Sequence, residues 1–286
     1  MPPIRKAIIP AAGRGTRLLP ATAIIPKELL PVDLKPMIQH CIEEAARSRI
    51  EEIALILSPE KETVRAFLQA GSRSNRPELS SLRDALDRCR ITYLEQTDPT
   101  GVADALLLAR RFTGGEPFAV LLPDNITYAE PAPLVQMYAH LEPGLCALAL
   151  TEYQETNAAW YGNCGRVECE PLAERRYRIT RLHDKGKGAF RVRSGRTELV
   201  GYARYILQPY FFDYYPSRDT LGEGEEMDDT PILQRIIAAG RMTGVRIEGN
   251  LFDAGNPAGF AAANRFAAGQ DGQVRSGPLA IDPGSG

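Results

Sequence analysis

Residues 6–17 read Lys6-Ala-Ile-Ile-Pro-Ala-Ala-Gly-Arg-Gly-Thr-Arg17, and this stretch decides the fold class. Lys6 to Pro10 is a short apolar run without alternation, the pattern of a strand buried on both faces of a parallel sheet. In the loop behind it, Gly13 and Gly15 let the backbone turn tightly and approach an anion, while Arg14 and Arg17 supply positive charge. Phosphate is the natural guest of such a loop, and an ordinary strand-to-loop turn would use the same glycines. A Walker A loop ends in Gly-Lys-Ser/Thr, whereas Arg17 and Leu18 stand here. The dinucleotide fingerprint needs a third small residue where Leu18 sits, so both of these motifs are disfavoured.

Working outward, strand and helix patterns alternate. Ile38, Cys41, Ile42 and Ala45 recur at helical spacing behind Pro36, which predicts a helix over 36–47. Ile53 to Leu57 reads as a second buried strand, and Ser58-Pro59-Glu60 as the cap and acidic first turn of a helix running to Phe67. Strands over 91–94 and 118–122 flank a helix over 102–112. This alternation predicts an α/β fold with a doubly wound, mostly parallel mixed sheet flanked by helices, whose ligands sit at the carboxyl ends of the strands. Beyond 145–150 the pattern loosens into strand-like pieces at 166–170, 177–182 and 199–206. Helices follow over 231–239, with Thr230 as cap and Gly240 as stop, and over 257–268, with Asn256 as cap. One domain over 1–268 is expected, with halves at about 1–150 and 151–268 and a flexible Gly, Pro and Ser-rich tail over 269–286.

The composition narrows the function. With 286 residues and 44% hydrophobic content the chain can bury a large core, and 34 basic against 36 acidic side chains leave a net charge of -2. No overall field recruits nucleic acid or an anionic membrane. Five scattered cysteines without a CxxC pair suit reduced thiols, and no leader or membrane-length apolar run is visible, so a cytoplasmic protein is expected. His40, His140 and His183 share no metal spacing.

Two carboxylates stand out. Asp124 follows the buried run 118–122, and Asp253 lies in Phe252-Asp-Ala-Gly-Asn256. Each alone reads more readily as a turn cap, while two carboxylates from distant segments suit Mg²⁺, which combines few carboxylates with water and phosphate oxygens. The proline-punctuated stretch from Leu19 to Pro36, carrying Lys27 and Lys35, is long for a loop without a function.

The run Ala11 to Arg17, with Pro20-Ala-Thr22, Pro26-Lys-Glu28, Leu30-Pro31 and Lys35-Pro-Met-Ile38, resembles the sugar-1-phosphate nucleotidyltransferases. Its Pro-Ala-Thr and Pro-Lys-Glu pieces point to members that join UTP to glucose 1-phosphate. The resemblance implies transfer of a nucleoside monophosphate from an NTP to a sugar 1-phosphate, with Mg²⁺ and in a homodimer or homotetramer. It implies that Ala11, Ala12, Gly13, Gly15 and Thr16 hold the nucleotide, that Arg17 binds the triphosphate and that Lys27 neutralises charge at the α-phosphate. Gln96 and Gly101 fall in the base-binding stretch, and Asp124 and Asp253 in the metal-binding motifs. Gly162, Asp184, Lys185 and Glu226 are the implied sugar-phosphate contacts. The chain departs from the family pattern at Ala23, where lysine is common, at Asp104, where histidine is common, at Asp184, where glutamate is usual, and over 224–230. The same reaction on another base or on another hexose or cyclitol 1-phosphate stays open, as does a non-catalytic nucleotide-sugar-binding regulator.

Overall fold

The computed structural model describes residues 4–162, 164–183, 198–216 and 227–269. Its elements begin with β1 (Lys6–Pro10), β2 (Pro31–Val32), β3 (Lys35–Pro36), α1 (Met37–Arg47), β4 (Glu52–Leu57), α2 (Glu62–Arg73), α3 (Ser80–Arg88) and β5 (Arg90–Glu95). They continue with α4 (Val102–Leu108), α5 (Arg110–Thr113), β6 (Phe118–Leu121), β7 (Asn125–Tyr128), α6 (Pro133–His140) and β8 (Cys146–Tyr153). The last third holds β9 (Val167–Ala173), β10 (Arg176–Leu182), β11 (Glu198–Leu207), α7 (Thr230–Ala238), β12 (Met242–Arg246), β13 (Asn250–Asp253) and α8 (Pro257–Ala267).

Nine strands form one sheet in the order β5-β4-β1-β6-β11-β8-β12-β10-β9. Only β10 and β11 run against the other seven, so the predicted doubly wound, mostly parallel α/β sheet is present. β1 lies between β4 and β6 and is parallel to both. Its residues alternate between faces: Ala7 and Ile9 pack with side chains of α1, α2, α3 and α6, and Ile8 with those of α4 and α7. Each fully buried isoleucine here contributes about 1.5–3 kcal/mol of apolar burial.

A third cluster joins the proline-rich loop to the rest. Leu18, Leu30, Val32 and Met37 pack against Ile126, Phe252 and Ala262. The loop is therefore seated on the antiparallel β7–β13 pair and on α8.

Several boundaries differ from the sequence expectation. The helix predicted to end at Phe67 runs to Arg73, and Ser58 makes no side-chain cap bond because a 3₁₀ turn over Pro59–Lys61 comes first. Thr230 is the first helical residue of α7, and Asp229 takes the cap position. The helix expected over 102–112 breaks at Ala109 into α4 and α5. Asn256 caps as predicted, its Oδ1 accepting from Gly259 N at 2.9 Å. Two helices absent from the sequence reading are α3, which buries only Leu82 and Ala85, and α6, which sits behind the turn signal Pro131-Ala-Pro133. In α6 little apolar periodicity stands out, and in α3 the apolar stripe is confined to Leu82, Ala85 and Leu86 within a mostly polar and charged segment.

Candidate active site

The carboxyl ends of β1 and β6 open on a cleft of about 600 Å³, within the range of small-ligand sites. After Pro10 the chain enters the glycine loop. Gly15 holds a left-handed φ of 71°, and a Cβ there would lie 3.2 Å from Lys27 Cβ, so both backbone and space call for glycine. A Cβ on Gly13 would meet nothing within 4 Å, which leaves that backbone approachable from the cleft. Thr22 Oγ1 donates to Gly15 O at 2.8 Å and ties the Pro-Ala-Thr segment to the loop. Arg14 and Arg17 are exposed on the cleft wall, and neither meets an acidic partner among the described residues.

Lys27 sits on a 3₁₀ turn over Lys27–Leu29, and its Nζ is 2.5 Å from Asp124 Oδ2. Asp124 lies between β6 and β7. Register in the β7–β13 pair sets Asp253 opposite Asn125, and Ala254 N donates to Asp124 O at 2.8 Å, so carboxylates 129 positions apart in sequence meet. Gly255 keeps the space between them open: a Cβ there would lie 2.4 Å from Asp124 Oδ2 and 3.0 Å from Asp253 Oδ1.

The electrostatics follow from that meeting. Burial first, and the Asp124 charge second, push the Asp253 carboxyl up to about 6. Burial would also raise Asp124, but the Lys27 ammonium, helped by hydrogen bonds from Asn125 and the backbone, holds that carboxyl below its ordinary value. Lys27 is half-buried, and the loss of solvent around its ammonium would depress it, yet Asp124, Glu28 and Asp253 together hold it above the usual lysine value.

At the other end of the cleft, Gln96 Nε2 donates to Asp104 Oδ2 at 2.9 Å and to Gly101 O at 3.3 Å. Asp104 Oδ2 also accepts from Thr100 Oγ1 at 2.8 Å. Gly101 has a φ of 115°, and a Cβ there would lie 2.4 Å from Met227 O. Met227 N donates to Thr100 O at 2.6 Å and Ala103 N to Met227 O at 3.0 Å, which stitches the approach to α7 onto this loop.

Behind the carboxylates lies a buried ion pair. Arg204 Nε and Nη2 each donate to Glu44 of α1 at 2.7 Å. The same guanidinium reaches Leu122 O at 3.0 Å and Asn125 O at 2.8 Å, and so grips the turn that carries Asp124.

Of the residues picked from sequence, Ala12, Gly13, Gly15, Thr16 and Arg17 line the cleft from one side. Lys27, Asp124 and Asp253 line its centre, and Gln96 and Gly101 its far end. Ala11 lies beneath the wall, with its N–H on Ile56 O at 2.8 Å. Gly162 is buried behind the turn Ala158–Tyr161, and the wall there is formed by Cys164 and Gly165 instead. Asp184, Lys185 and Glu226 lie outside the described residues. Sequence reasoning missed Glu28, Lys61 and Gly255. Glu28 stood within the Pro-Lys-Glu signal, whereas Lys61 looked like any lysine at a helix start.

The donor set is one that a divalent cation accepting two carboxylates fits: two converging aspartates, one with its carboxyl raised by burial and by the charge of the other, with space kept by a glycine. Among the described residues no cluster of three or more His, Cys, Asp or Glu offers an all-protein cage. No helix of the described residues is long and apolar enough to cross a membrane.

Comparison with known proteins gives this arrangement its relatives. The family model for nucleotidyl transferases matches residues 6–270. The chain is 33% identical over 270 residues to UTP–glucose-1-phosphate uridylyltransferase 2 of Staphylococcus saprophyticus, covering 90% of this chain and 89% of the relative. It is 33% identical over 285 residues to the UTP–glucose-1-phosphate uridylyltransferase of Bacillus subtilis, covering 96% and 94%. A crystal structure of a UDP-glucose pyrophosphorylase complexed with UDP-glucose superposes with a TM-score of 0.77 at 27% identity, over 93% of this chain and 99% of that one. The match begins on the same strand that opens into the glycine loop and runs past Asp253 to the end of α8, and the chain belongs to the nucleotidyl transferase family.

Proposed function

We propose that the protein transfers a uridylyl group from UTP to glucose 1-phosphate in the cytoplasm, forming UDP-glucose and releasing pyrophosphate. The observation that carries the reading is the meeting of an open glycine loop, the Lys27 ammonium and the Asp124 and Asp253 carboxylates along one cleft. The names of the relatives support the choice of substrates. The five cysteines, none of them in a disulfide, suit a reducing compartment.

A phosphate oxygen of glucose 1-phosphate attacks the α-phosphorus of UTP, and the bond to the β-phosphate oxygen breaks as pyrophosphate leaves. No protein nucleophile is needed, so the residues act by placing anions and meeting charge. Lys27 commits one N–H to Asp124 and has two more for the α-phosphate. Arg17 and the backbone of the glycine loop take the β- and γ-phosphates. Asp124 and Asp253 are the residues that would hold Mg²⁺, which when bound offsets negative charge on the phosphoryl oxygens.

The base reading rests on Gln96. Both protons of its amide are committed to Asp104 and Gly101, which leaves Oε1 as an acceptor. An acceptor suits the ring N–H of uracil or thymine and meets a lone pair on cytosine. The sugar phosphate is assigned to the half of the chain after residue 150, with Lys185, Asp184 and Glu226 as its contacts. The homodimer or homotetramer implied by the family resemblance is measured by sedimentation equilibrium.

The test is a panel of nucleoside triphosphates against sugar 1-phosphates, read as pyrophosphate release. UTP with glucose 1-phosphate is expected to give the highest kcat/KM, with CTP far below UTP. A preference for another pair would replace the substrates. Binding of UDP-glucose without pyrophosphate release from any pair would make the chain a nucleotide-sugar-binding regulator.

A further inference from the structure

Lys61, just ahead of α2, is absent from the cleft wall, yet it is wired into it. Its Nζ donates to Ala11 O at 2.6 Å, to Gly13 O at 2.6 Å and to Glu28 Oε2 at 2.7 Å. An ammonium has three donors, so all of them are used inside the protein. The Lys61 and Glu28 side chains are 7% and 0% exposed. Desolvating such a pair can cost as much as its mutual attraction returns, so stability alone does not account for burying it.

The geometry of the peptide shows what that purpose is. The cis bonds of the described chain are Leu19-Pro20 and Glu130-Pro131, so the peptides 11–12 and 13–14 are trans. In a trans peptide the C=O and N–H point in opposite directions. Carbonyls 11 and 13 are drawn to one ammonium, so the amides of Ala12 and Arg14 turn to the opposite side. Ala12 and Arg14 line the cleft while Ala11 does not. Neither amide donates to any described residue. Two such open amides, two residues apart on the cleft side of the loop, offer N–H donors to an anion.

We propose that Lys61, with Glu28 as its counter-ion, is a positioning residue of the phosphate loop: it turns the carbonyls of Ala11 and Gly13 away from the cleft and thereby presents the amides of Ala12 and Arg14 to the triphosphate. The inference rests on the uridylyl-transfer reading for the identity of the anion. Lys61 has no donor left for a ligand, so its removal acts on the nucleotide through the loop and leaves the sugar phosphate alone. Without it, two carbonyl oxygens become free to rotate toward the triphosphate and repel it.

The experiment uses the full chain with Mg²⁺ and compares wild type with Lys61→Met and with Lys61→Met/Glu28→Gln. Calorimetry gives the Kd for UTP and for inorganic tripolyphosphate, steady-state kinetics give KM for glucose 1-phosphate, and thermal unfolding gives Tm. Lys61→Met lowers Tm because the Glu28 carboxylate is left unpaired, and the double variant recovers it. In both, the Kd for UTP and for tripolyphosphate is expected to rise about tenfold or more, the loss of a hydrogen bond to a charged group. KM for glucose 1-phosphate is expected to stay within about twofold, well short of the factor that one such bond carries. A double variant that regains Tm and binds both anions like wild type overturns the proposal, since the pair is then structural only. Lys61→Arg decides the matter if those variants do not fold: it keeps a cation for Glu28, but a planar fork cannot aim three donors from one point. Weaker tripolyphosphate binding at unchanged Tm supports the clamp, and wild-type affinity overturns it. If wild type binds tripolyphosphate but releases no pyrophosphate from UTP and glucose 1-phosphate, the uridylyl-transfer reading fails and the clamp is judged on tripolyphosphate alone.

Discussion

Lys27 is half-buried in the cleft wall and Lys61 is buried behind it, and their surroundings separate their roles. Lys27 faces Asp124, Glu28 and Asp253 and is held above the usual lysine value against burial, whereas burial dominates at Lys61 and draws it below that value. Replacing Lys27 by Met is expected to lower kcat about 10²–10³-fold, the usual size of a lost contact to developing charge. In chelator the same variant leaves Asp124 unpaired, so its Tm falls, and Mg²⁺ restores part of it; thermal unfolding with and without metal measures this. Asp253 carries the opposite sign. Its carboxyl is pushed up to about 6 by burial and by Asp124, so the stability tied to its proton is complete below the ordinary carboxylate range and is lost as pH rises through about 6. Asp253→Asn is therefore expected to raise Tm by about 2 °C or more at pH 8 in chelator, to change it little at pH 4, and to abolish pyrophosphate release. At Asp104, exchange for Asn lets an amide donate to Gln96 Oε1 and turn Nε2 toward the base. The ratio of kcat/KM for UTP over CTP is expected to fall about tenfold, roughly one hydrogen bond in the site.

Among the elements, short connections set the site more than the regular structure does. The 3₁₀ turns over Thr16–Leu18 and Lys27–Leu29 aim Arg17 and Lys27 from a loop whose apolar side chains Leu18, Leu30 and Val32 are packed under it. The turn before α4 depends on Gly101, whose positive φ and contact with the Met227 backbone exclude a side chain. Gly101→Ala is expected to destabilise the protein by about 1–3 kcal/mol from backbone strain alone, with the clash added to it. Urea unfolding measures the loss, and KM for UTP should rise because Gln96 donates to that residue's carbonyl. Helices with a full apolar stripe, such as α1, were legible from spacing. The helix α3 was not picked out, although Leu82, Ala85 and Leu86 stand at helical spacing, because its stripe is only three residues long in a mostly charged and polar stretch.

Across the whole molecule, Arg204 joins β11 to α1 and to the turn of Asp124, so the second half of the chain supports a carboxylate carried by the first. Arg204→Met strands the Glu44 charge in the core and is expected to cost about 3–5 kcal/mol in denaturant unfolding, with weaker Mg²⁺ dependence of turnover in whatever folds. The sequence by itself determined the α/β class, the strand that opens into the glycine loop, and the residue types at Arg17, Lys27, Asp124 and Asp253. Those signals are local: a buried strand, a glycine turn and a proline-bounded loop each follow from the conformational limits of a few neighbouring residues. Only the tertiary structure decided that Asp253 stands beside Asp124, that Lys61 and Glu28 hold the glycine loop from behind, and that Asp104 orients Gln96. The first two of these join segments at least 33 positions apart, and the third turns on the direction of one amide. Strand register, buried charge pairing and amide orientation are settled by packing in three dimensions, which leaves no periodic trace along the chain.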